Sequence, residues 1–562
     1  MEKGKNNNGA GNGMILQATI LAAAGIIVRI VGLLYRSPLT SIIGDEGNGY
    51  YNSAYNCYVI ILLISAYSIP SAISKVMAER LALGKDRGAQ RVFHAALLYV
   101  LIVSGAFSVF LFFGAELLTV GRAVTVLRVF SPTILFFGLL GVLRGFFQAR
   151  RTMVPTSVSQ ILEQIVNAVV SLLAAWLFIR MAGSTAGESE RAVRGAVGSA
   201  MGTGAGVLAA LLFMTIVYLR QRGALKKRLA ADTGADDETM GSVMKLLFLT
   251  VTPFILSTFI YNFSTMLDQT IFQRILLNVR GLEEAQIMRS YGVFSTKAVV
   301  IANIPIALSS ALSSAMMPNL SGTCAKGDTE GAKKIVSRAM QVSLMISIPC
   351  AVGLAVFARP VMQLLFPQRN SLEEASLLLA GMAVTVVFYS VSTLTNAVLQ
   401  GIGRMNLPVV NAVFALILQG ALLAGLLLFA GMGNGALVIA AIVYSGLMCL
   451  LNHRSLMKHL PVAVERKTAL WLPLLSSGVM AGVSFLLYKI LYLVLSQVTG
   501  RDYFINLFSL APTILIAVWI YAALLIRLGG ISEEMLLAMP KGRTIVRGLK
   551  KMRVLKRGKD VE

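Results

Sequence analysis

Long apolar segments recur along the whole chain, and their length limits what it can fold into. A helix needs about 20 apolar residues, at ~1.5 Å rise each, to cross the ~30 Å hydrocarbon core of a bilayer. Fourteen segments reach that length, and we therefore predict an all-α polytopic membrane protein with about 14 transmembrane helices. The segments lie at about 16–35, 50–73, 92–113, 123–143, 156–179, 195–219, 246–273, 291–316, 339–358, 376–399, 409–429, 436–452, 468–490 and 506–526.

The composition agrees with this prediction and excludes a water-soluble multidomain enzyme. Apolar residues make up 56% of the chain and charged residues 14%, whereas a soluble protein has about 45–50% and about 25%. The four cysteines are far apart and show neither metal-ligand nor disulfide spacing. No metal site is predicted from them.

The distribution of Lys and Arg predicts the orientation in the membrane. The chain has 50 Lys and Arg against 26 Asp and Glu, and the loops on the side of both termini hold roughly three times as many Lys and Arg as the other loops. We therefore predict a multi-pass protein of the cytoplasmic membrane with both termini cytoplasmic. The basic excess is explained by these loops, so membrane lipids are the expected partners and nucleic acid is not.

Two short loops on the predicted cytoplasmic side recur six spans later. Residues 84–91 (GKDRGAQR) match 327–334 (GDTEGAKK), and Leu143-Arg144-Gly145, leading to Pro155, matches Leu399-Gln400-Gly401, leading to Pro408. An even period of six spans keeps the two halves parallel, with an axis along the membrane normal. Such repeats are typical of transporters.

The repeat predicts two six-helix lobes with two C-terminal helices appended. The linker holds a basic cluster followed by acidic residues, in the position expected between two halves. The predicted regions are a cytoplasmic N-terminus at 1–15, an N-lobe at 16–219, a cytoplasmic linker at 220–245, a C-lobe at 246–458, the two appended spans at 468–526 and a basic cytoplasmic tail at 530–562.

Sequence signatures of catalysis are missing from the chain. It contains no G-x-x-x-x-G-K-[ST] phosphate loop, no G-x-S-x-G elbow and no H-E-x-x-H zinc motif. We therefore expect neither an enzyme nor a bound cofactor.

Four cations are predicted inside or at the edge of the membrane spans. A cation at the bilayer centre costs about 2.5–3.5 kcal/mol and usually faces a cavity or a partner. Arg29 and Arg36 are seven residues apart, two helical turns, and project from one face. Lys297 lies in the eighth span and Arg128 near the outer end of the fourth. Snorkelling to the headgroups is the alternative, most of all for Arg128.

These cations favour a central cavity that binds an anion. Phosphate or pyrophosphate fits best, because Arg binds it through two parallel hydrogen bonds and Lys acts as a point charge. Two intramembrane acids, Glu163 in the fifth span and Asp268 in the seventh, have two open interpretations. Each is either a site for sodium or proton coupling or the counter-ion of a buried Arg.

Several motifs together resemble one group of membrane transporters. They resemble the stage V sporulation protein B group of oligosaccharide flippases. That group lies near the lipid II flippases in the multidrug/oligosaccharidyl-lipid/polysaccharide (MOP) superfamily. The motifs are 29–38 (RIVGLLYRSP), 43–51 (IGDEGNGYY), 69–75 (IPSAISK), 145–148 (GFFQ), 153–156 (MVPT) and 159–164 (SQILEQ).

The resemblance implies a V-shaped pair of six-helix lobes that moves polyprenyl-pyrophosphate-linked oligosaccharides outward by alternating access. Such substrates include precursors of cell wall, spore cortex and surface polysaccharide. Arg29 and Arg36 match basic positions that line the cavity of lipid II flippases, and Asp268 matches an acid of their sodium site.

Two other functions stay open at this stage. One is a cation-coupled multidrug antiporter of the same superfamily, although a cavity for organic cations should be lined by acids. The other is a non-transporting scaffold for envelope assembly. The glycan, the coupling ion and the oligomeric state are likewise open.

Overall fold

The computed structural model describes residues 24–25, 27–32, 34–67, 69–183, 185–232, 239–366, 369–498, 500–531, 533 and 546–547, with the backbone alone at 67, 250–261, 318 and 369. The secondary structure of these residues is helical, with short turns and no β-strand. The predicted N-terminus at 1–15 and most of the predicted tail at 530–562 lie outside them.

The predicted fold class, an all-α polytopic membrane protein, is confirmed. Twelve helices among the described residues are long and apolar enough to cross a bilayer. One of them, Ile27–Ala82, has 56 residues, more than one crossing requires, and its backbone is kinked at Gly44, where φ is 70° and ψ 179°. The seventh predicted segment lies within the helix Met240–Arg274, where only some side chains are described. The number of fourteen therefore stays a prediction.

The chain forms two compact units, Met1–Gly292 and Val293–Glu562. In the first unit, π-helical turns at Leu63–Tyr67 and Ile275–Val279 follow the first and eighth helices. Its helices are α1 (Arg36–Leu62), α2 (Ile69–Ala82), α3 (Asp86–Phe113), α4 (Ala115–Leu118), α5 (Ala123–Ala149), α6 (Val154–Met181), α7 (Glu188–Ala231), α8 (Met240–Arg274) and α9 (Glu284–Gly292).

The second unit begins with the π-helical segment Val293–Ala298, and a second such segment, Lys467–Trp471, precedes its penultimate helix. Its helices are α10 (Val299–Ala325), α11 (Thr329–Val356), α12 (Ala358–Leu365), α13 (Leu372–Gly401), α14 (Asn406–Leu428), α15 (Asn434–His459), α16 (Leu472–Ser496) and α17 (Asp502–Arg527).

The first repeated loop has the same backbone conformation in both units. Gly84 and Gly327 have φ angles of 73° and 75°, a left-handed conformation that glycine adopts without steric cost. The next residues, Lys85 (φ −89°, ψ 73°) and Asp328 (φ −79°, ψ 83°), lead into α3 and α11, which both have 28 residues. The sequence match thus corresponds to a shared local structure.

The second repeated loop also forms the same turn in both units. The residues that correspond in this turn are displaced by one helical turn from those that correspond in the sequence motif. Thr152 N–H donates to the Phe147 carbonyl at 3.0 Å, and Arg404 N–H donates to the Leu399 carbonyl at 2.8 Å. The preceding residues, Arg151 and Gly403, have positive φ angles of 59° and 79°. The turn geometry therefore pairs Leu399 with Phe147, whereas the motif pairs it with Leu143.

The first unit includes the seventh predicted span because α8 and α9 pack on α1. A Cβ atom on Gly49 or Gly292 would collide with the backbone of the facing helix, at Met288 and Asp45 respectively. The two backbones thus lie in direct contact, as small residues allow in membrane helices. Gln269 of α8 adds a hydrogen bond of 2.8 Å from its Nε2 to the Ser53 carbonyl of α1.

Helix α7 is longer than the bilayer is thick and continues into the predicted linker. Its 44 residues span about 66 Å at ~1.5 Å each, and its last part carries the basic cluster at 220–228. Its C-terminal end docks on the start of α3, where the Arg87 amide donates to Asp232 at 2.8 Å and Arg87 Nε to the Leu229 carbonyl at 3.2 Å.

Candidate functional site

The two predicted cations before and at the start of α1 lie on one continuous helical run. The Tyr35 amide donates to the Val31 carbonyl and the Leu39 amide to the Tyr35 carbonyl, both at 3.1 Å. Arg29 is exposed and Arg36 is half-buried. Neither forms an ion pair with any residue that the structure describes.

A row of neutral polar groups lies within electrostatic range of Arg36. Its guanidinium is within electrostatic range of the Tyr51 phenol, whose hydroxyl lies 3.3 Å from Thr203 Oγ1. Thr203 Oγ1 in turn donates to Asn167 Oδ1 at 3.5 Å, which also accepts from Ser171 Oγ at 3.0 Å. The row joins α1, α7 and α6 within the first unit.

Close packing of α6 on α7 positions this row. Three glycines of α7, Gly198, Gly202 and Gly206, each lie where a Cβ atom would approach the α6 backbone within about 2.5 Å. The spacing of four residues places all three on one face of α7. Gly206 faces the backbone of Glu163, so this contact also fixes the position of Glu163 relative to α7.

Glu163 is held in an ion pair. Arg144 Nη2 donates to Glu163 Oε2 at 2.7 Å, and Arg144 Nε donates to Ser159 Oγ at 3.0 Å. The Arg144 side chain is 8% exposed and the Glu163 side chain 25%. The Ser159 hydroxyl in turn donates a hydrogen bond to the Thr156 carbonyl at 2.7 Å. The arginine thus joins the end of α5 to the start of α6.

Arg128 lies in a surface ion pair instead of a polar interior. Its Nη2 donates to Glu116 Oε1 at 3.0 Å and its Nε to the Phe112 carbonyl at 3.2 Å. Its side chain is 39% exposed. These bonds attach α5 to the short helix α4 and to the end of α3.

Lys297 is the most enclosed of the predicted cations. It is 1% exposed and lies in the π-helical segment at the start of the second unit. Its Nζ donates to Ser371 Oγ at 2.6 Å, and the Phe366 ring centre lies 5.9 Å away. Ser371 is the residue that precedes α13, so the ammonium contacts the N-terminal end of that helix.

Asp268 is half-buried on α8, beside a hydrogen-bonded network of neutral groups. Asn56 Nδ2 donates to Gln269 Oε1 at 2.9 Å and to the Tyr291 hydroxyl oxygen at 2.8 Å. Asp268 is within electrostatic range of Tyr291. Asp268 therefore directly precedes Gln269, the residue that joins α8 to α1.

No group of three His, Cys, Asp or Glu side chains in the described part of the chain is arranged to hold a metal ion. The row that contains Tyr51, Thr203 and Asn167 consists of hydroxyls and an amide, and with the guanidinium of Arg36 it can bind anions and hydroxyl-rich ligands through hydrogen bonds.

Sequence analysis missed Arg144 as the partner of Glu163. The predicted fourth span ends at residue 143, because hydropathy falls at Arg144, whereas α5 continues to Ala149. The repeated Leu143-Arg144-Gly145 motif could have indicated Arg144, because it places an arginine next to a turn that occurs in both halves of the chain. The polar row of Tyr51, Thr203 and Asn167 carries no comparable signal, because single polar residues are common in long helices.

A sequence model described as polysaccharide biosynthesis protein matches residues 16–324, which is more than half of the chain. The chain belongs to the polysaccharide biosynthesis protein family. A second model, MatE, matches residues 285–424. The chain is therefore a member of the MOP superfamily and a multi-pass membrane transporter.

Two relatives from Bacillus subtilis (strain 168) are similar over most of their length. Stage V sporulation protein B is 25% identical over 454 residues, which cover 80% of this chain and 84% of the relative. Lipid II flippase MurJ is 24% identical over 425 residues, which cover 72% and 76%. A solved structure of lipid II flippase MurJ in an inward closed conformation has a TM-score of 0.61 at 14% identity, covering 90% of this chain and 98% of that one. The fold is shared with that structure.

Proposed function

We propose that this protein is a flippase that moves polyprenyl-pyrophosphate-linked oligosaccharide across the cytoplasmic membrane by alternating access. One observation carries the proposal. Glu163 is neutralised by its ion pair with Arg144. Arg29 and Arg36, by contrast, have no acidic partner among the described residues. Arg36, within electrostatic range of a row of hydroxyl and amide groups, and Arg29, two helical turns before it, are cations without an acidic partner and suit an anionic, hydroxyl-rich ligand.

The chemistry of the substrate matches these groups. A pyrophosphate accepts paired hydrogen bonds from a guanidinium, which are worth about 1.5–3 kcal/mol each when charged. The hydroxyls and amides of Tyr51, Thr203 and Asn167 are suited to the sugar hydroxyls. Similarity to lipid II flippase MurJ supports a lipid-linked saccharide as the substrate class.

The remaining predicted charges take other roles in this proposal. Glu163 serves as a counter-ion, because Arg144 already occupies its carboxylate. Arg128 serves in a surface ion pair with Glu116. Lys297 donates a hydrogen bond to Ser371 and so orders the start of α13. Its ammonium is too enclosed to reach a ligand unless the second unit rearranges.

A second candidate function is a cation-coupled multidrug antiporter. The MatE match at residues 285–424 and the half-buried Asp268 favour it. The two functions differ in the effect of removing a cation. A lipid-linked anion would bind less well without Arg29 or Arg36, whereas an organic cation would bind better because a repelling charge is lost.

Reconstituted proteoliposomes test the proposal directly. The purified protein would be assayed for outward movement of a fluorescent polyprenyl-pyrophosphate saccharide and, separately, of an organic cation. We expect Arg29→Ala and Arg36→Ala each to weaken transport of the saccharide roughly 10- to 150-fold, the loss of one or more charge-assisted bonds. Arg29→Lys should also lose transport, because lysine keeps the positive charge but lacks the planar guanidinium that donates two parallel hydrogen bonds.

The matched control is Arg128→Ala, which removes a cation from a surface ion pair and should leave transport unchanged. Normal saccharide flipping by an Arg29→Ala, Arg36→Ala double variant would refute the proposal. Faster movement of the organic cation in that variant would instead support the antiporter.

A further inference from the structure

A cavity of about 950 Å³ opens in the second unit, at the end of α16 and the start of α17. Its volume lies in the range of about 300–1,000 Å³ that small-molecule sites occupy. The walls come from α12, from the start of α13 and from α16 and α17. None of the residues in the proposed saccharide site lines it. The Lys and Arg distribution predicts that this end of the helices faces outward.

Tyr488, which lines the cavity, is held in place by contacts among three helices. The Tyr488 hydroxyl of α16 donates to Asn506 Oδ1 of α17 at 2.8 Å. Asn506 Nδ2 donates to the Pro360 carbonyl of α12, also at 2.8 Å. Asn506 is fully buried, and the Phe357 ring packs edge-on against Tyr488. Hydrogen bonds to the buried Asn506 side chain therefore fix the relative positions of α12, α16 and α17 around the cavity.

The lining carries two cations and two acids. Arg359 Nη2 and Glu373 Oε1 form an exposed ion pair of 2.8 Å. Lys489 Nζ lies 4.9 Å from the Phe485 ring centre and pairs with no acid among the described residues. Asp502 lies in the first turn of α17. The cavity thus presents groups of both signs, which suit the two opposite charges of a zwitterionic ligand.

The cavity mouth borders surface that suits lipid chains. Leu493 lines the cavity and is 64% exposed, and Ile490 on the same helix is 57% exposed. Tyr492 and Tyr503 also line it, and tyrosine is enriched at the level of lipid headgroups because its ring is apolar and its hydroxyl polar. A ligand here would have both a charged head and an apolar body.

We propose that this cavity binds the headgroup of a zwitterionic aminophospholipid from the bilayer. Lys489 and Arg359 contact the phosphate, Asp502 and Glu373 contact the ammonium group, and the acyl chains leave along Leu493. The proposal is independent of the saccharide substrate, because it concerns other residues in the other unit.

Lipid binding to the purified, delipidated full-length protein tests the proposal by native mass spectrometry. Three probes would be titrated: phosphatidylethanolamine, phosphatidylglycerol, which has the phosphate but no ammonium, and soluble phosphoethanolamine. We expect phosphatidylethanolamine to bind most tightly. Lys489→Gln should weaken both lipids by roughly fivefold, near the upper end for one exposed charge pair. Asp502→Asn should weaken phosphatidylethanolamine alone.

The matched control is Lys467→Gln, an exposed lysine at the opposite end of the helical run that contains α16. Equal phosphatidylethanolamine binding by the Lys489→Gln and Lys467→Gln variants would overturn the proposal. Tighter binding of soluble phosphoethanolamine than of the lipid would assign the cavity to a soluble ligand instead. Both lysines are exposed, so neither substitution should prevent folding, and thermal unfolding of each variant would verify this.

Discussion

Arg144 and Glu163, nineteen residues apart on consecutive helices, form an ion pair of 2.7 Å that is largely removed from solvent. The pair explains how an acid is tolerated within a membrane helix, since a buried charge needs a partner and further hydrogen bonds. Ser159 supplies the additional bond to the guanidinium.

Breaking this pair should destabilise the protein. We expect Arg144→Met or Glu163→Gln to lower the free energy of unfolding by about 2–4 kcal/mol, because the remaining group is left buried without its partner. The double variant should cost less than the sum of the two. Denaturant unfolding in detergent micelles measures all three. The surface pair Arg128–Glu116 is the control, and its disruption should cost about 0–1 kcal/mol. A stable Glu163→Gln variant with altered ion dependence would instead assign coupling to Glu163.

Two substitutions at Lys297 distinguish an ordering role from ligand binding. Lys297→Met keeps the volume of the side chain and loses the bond that the ammonium donates to Ser371, so it should cost about 1.5–3 kcal/mol. Lys297→Ala leaves a cavity as well and should cost about 2–4 kcal/mol more. We expect the Met variant to retain saccharide transport in proteoliposomes. Loss of transport by a Met variant of normal stability would mean that the ammonium contacts the substrate.

Asp268 is the acid to test for ion coupling. Asp268→Asn keeps the shape of the side chain and removes its charge, so transport should lose its dependence on a sodium or proton gradient. Imposing each gradient separately on proteoliposomes identifies the ion. Glu163→Gln serves as the comparison, because it should affect stability and not gradient dependence. If the Asp268→Asn protein fails to accumulate in the membrane, the carboxylate is a structural counter-ion.

The orientation of the chain can be tested with reporter fusions. The Lys and Arg excess predicts that both termini are cytoplasmic. A reporter active only on the outer face should therefore be inactive when fused after Glu562. The same reporter fused after Gly500, in the predicted outer loop before α17, should be active. The opposite pattern would invert the topology and would place the cavity near Tyr488 on the cytoplasmic side.

The sequence by itself determined the fold class and the positions of the helices. From the third to the last, each predicted segment coincides with a helix to within about a dozen residues at either end, because the need to bury apolar surface and to satisfy backbone groups in lipid acts locally. The first repeated turn, at Gly84 and Gly327, was also readable, since its conformation depends on adjacent residues.

Only the tertiary structure decided which charges have partners. Arg144 lay outside the predicted span, Lys297 was expected in an open cavity, and Arg128 was grouped with it. Their partners, Glu163, Ser371 and Glu116, follow from how closely particular helices approach. That approach depends on the packing of side chains from distant parts of the chain. The four-residue spacing of the glycines in α7 predicts a close helix contact, but neither hydropathy nor spacing identifies α6 as the helix that they meet.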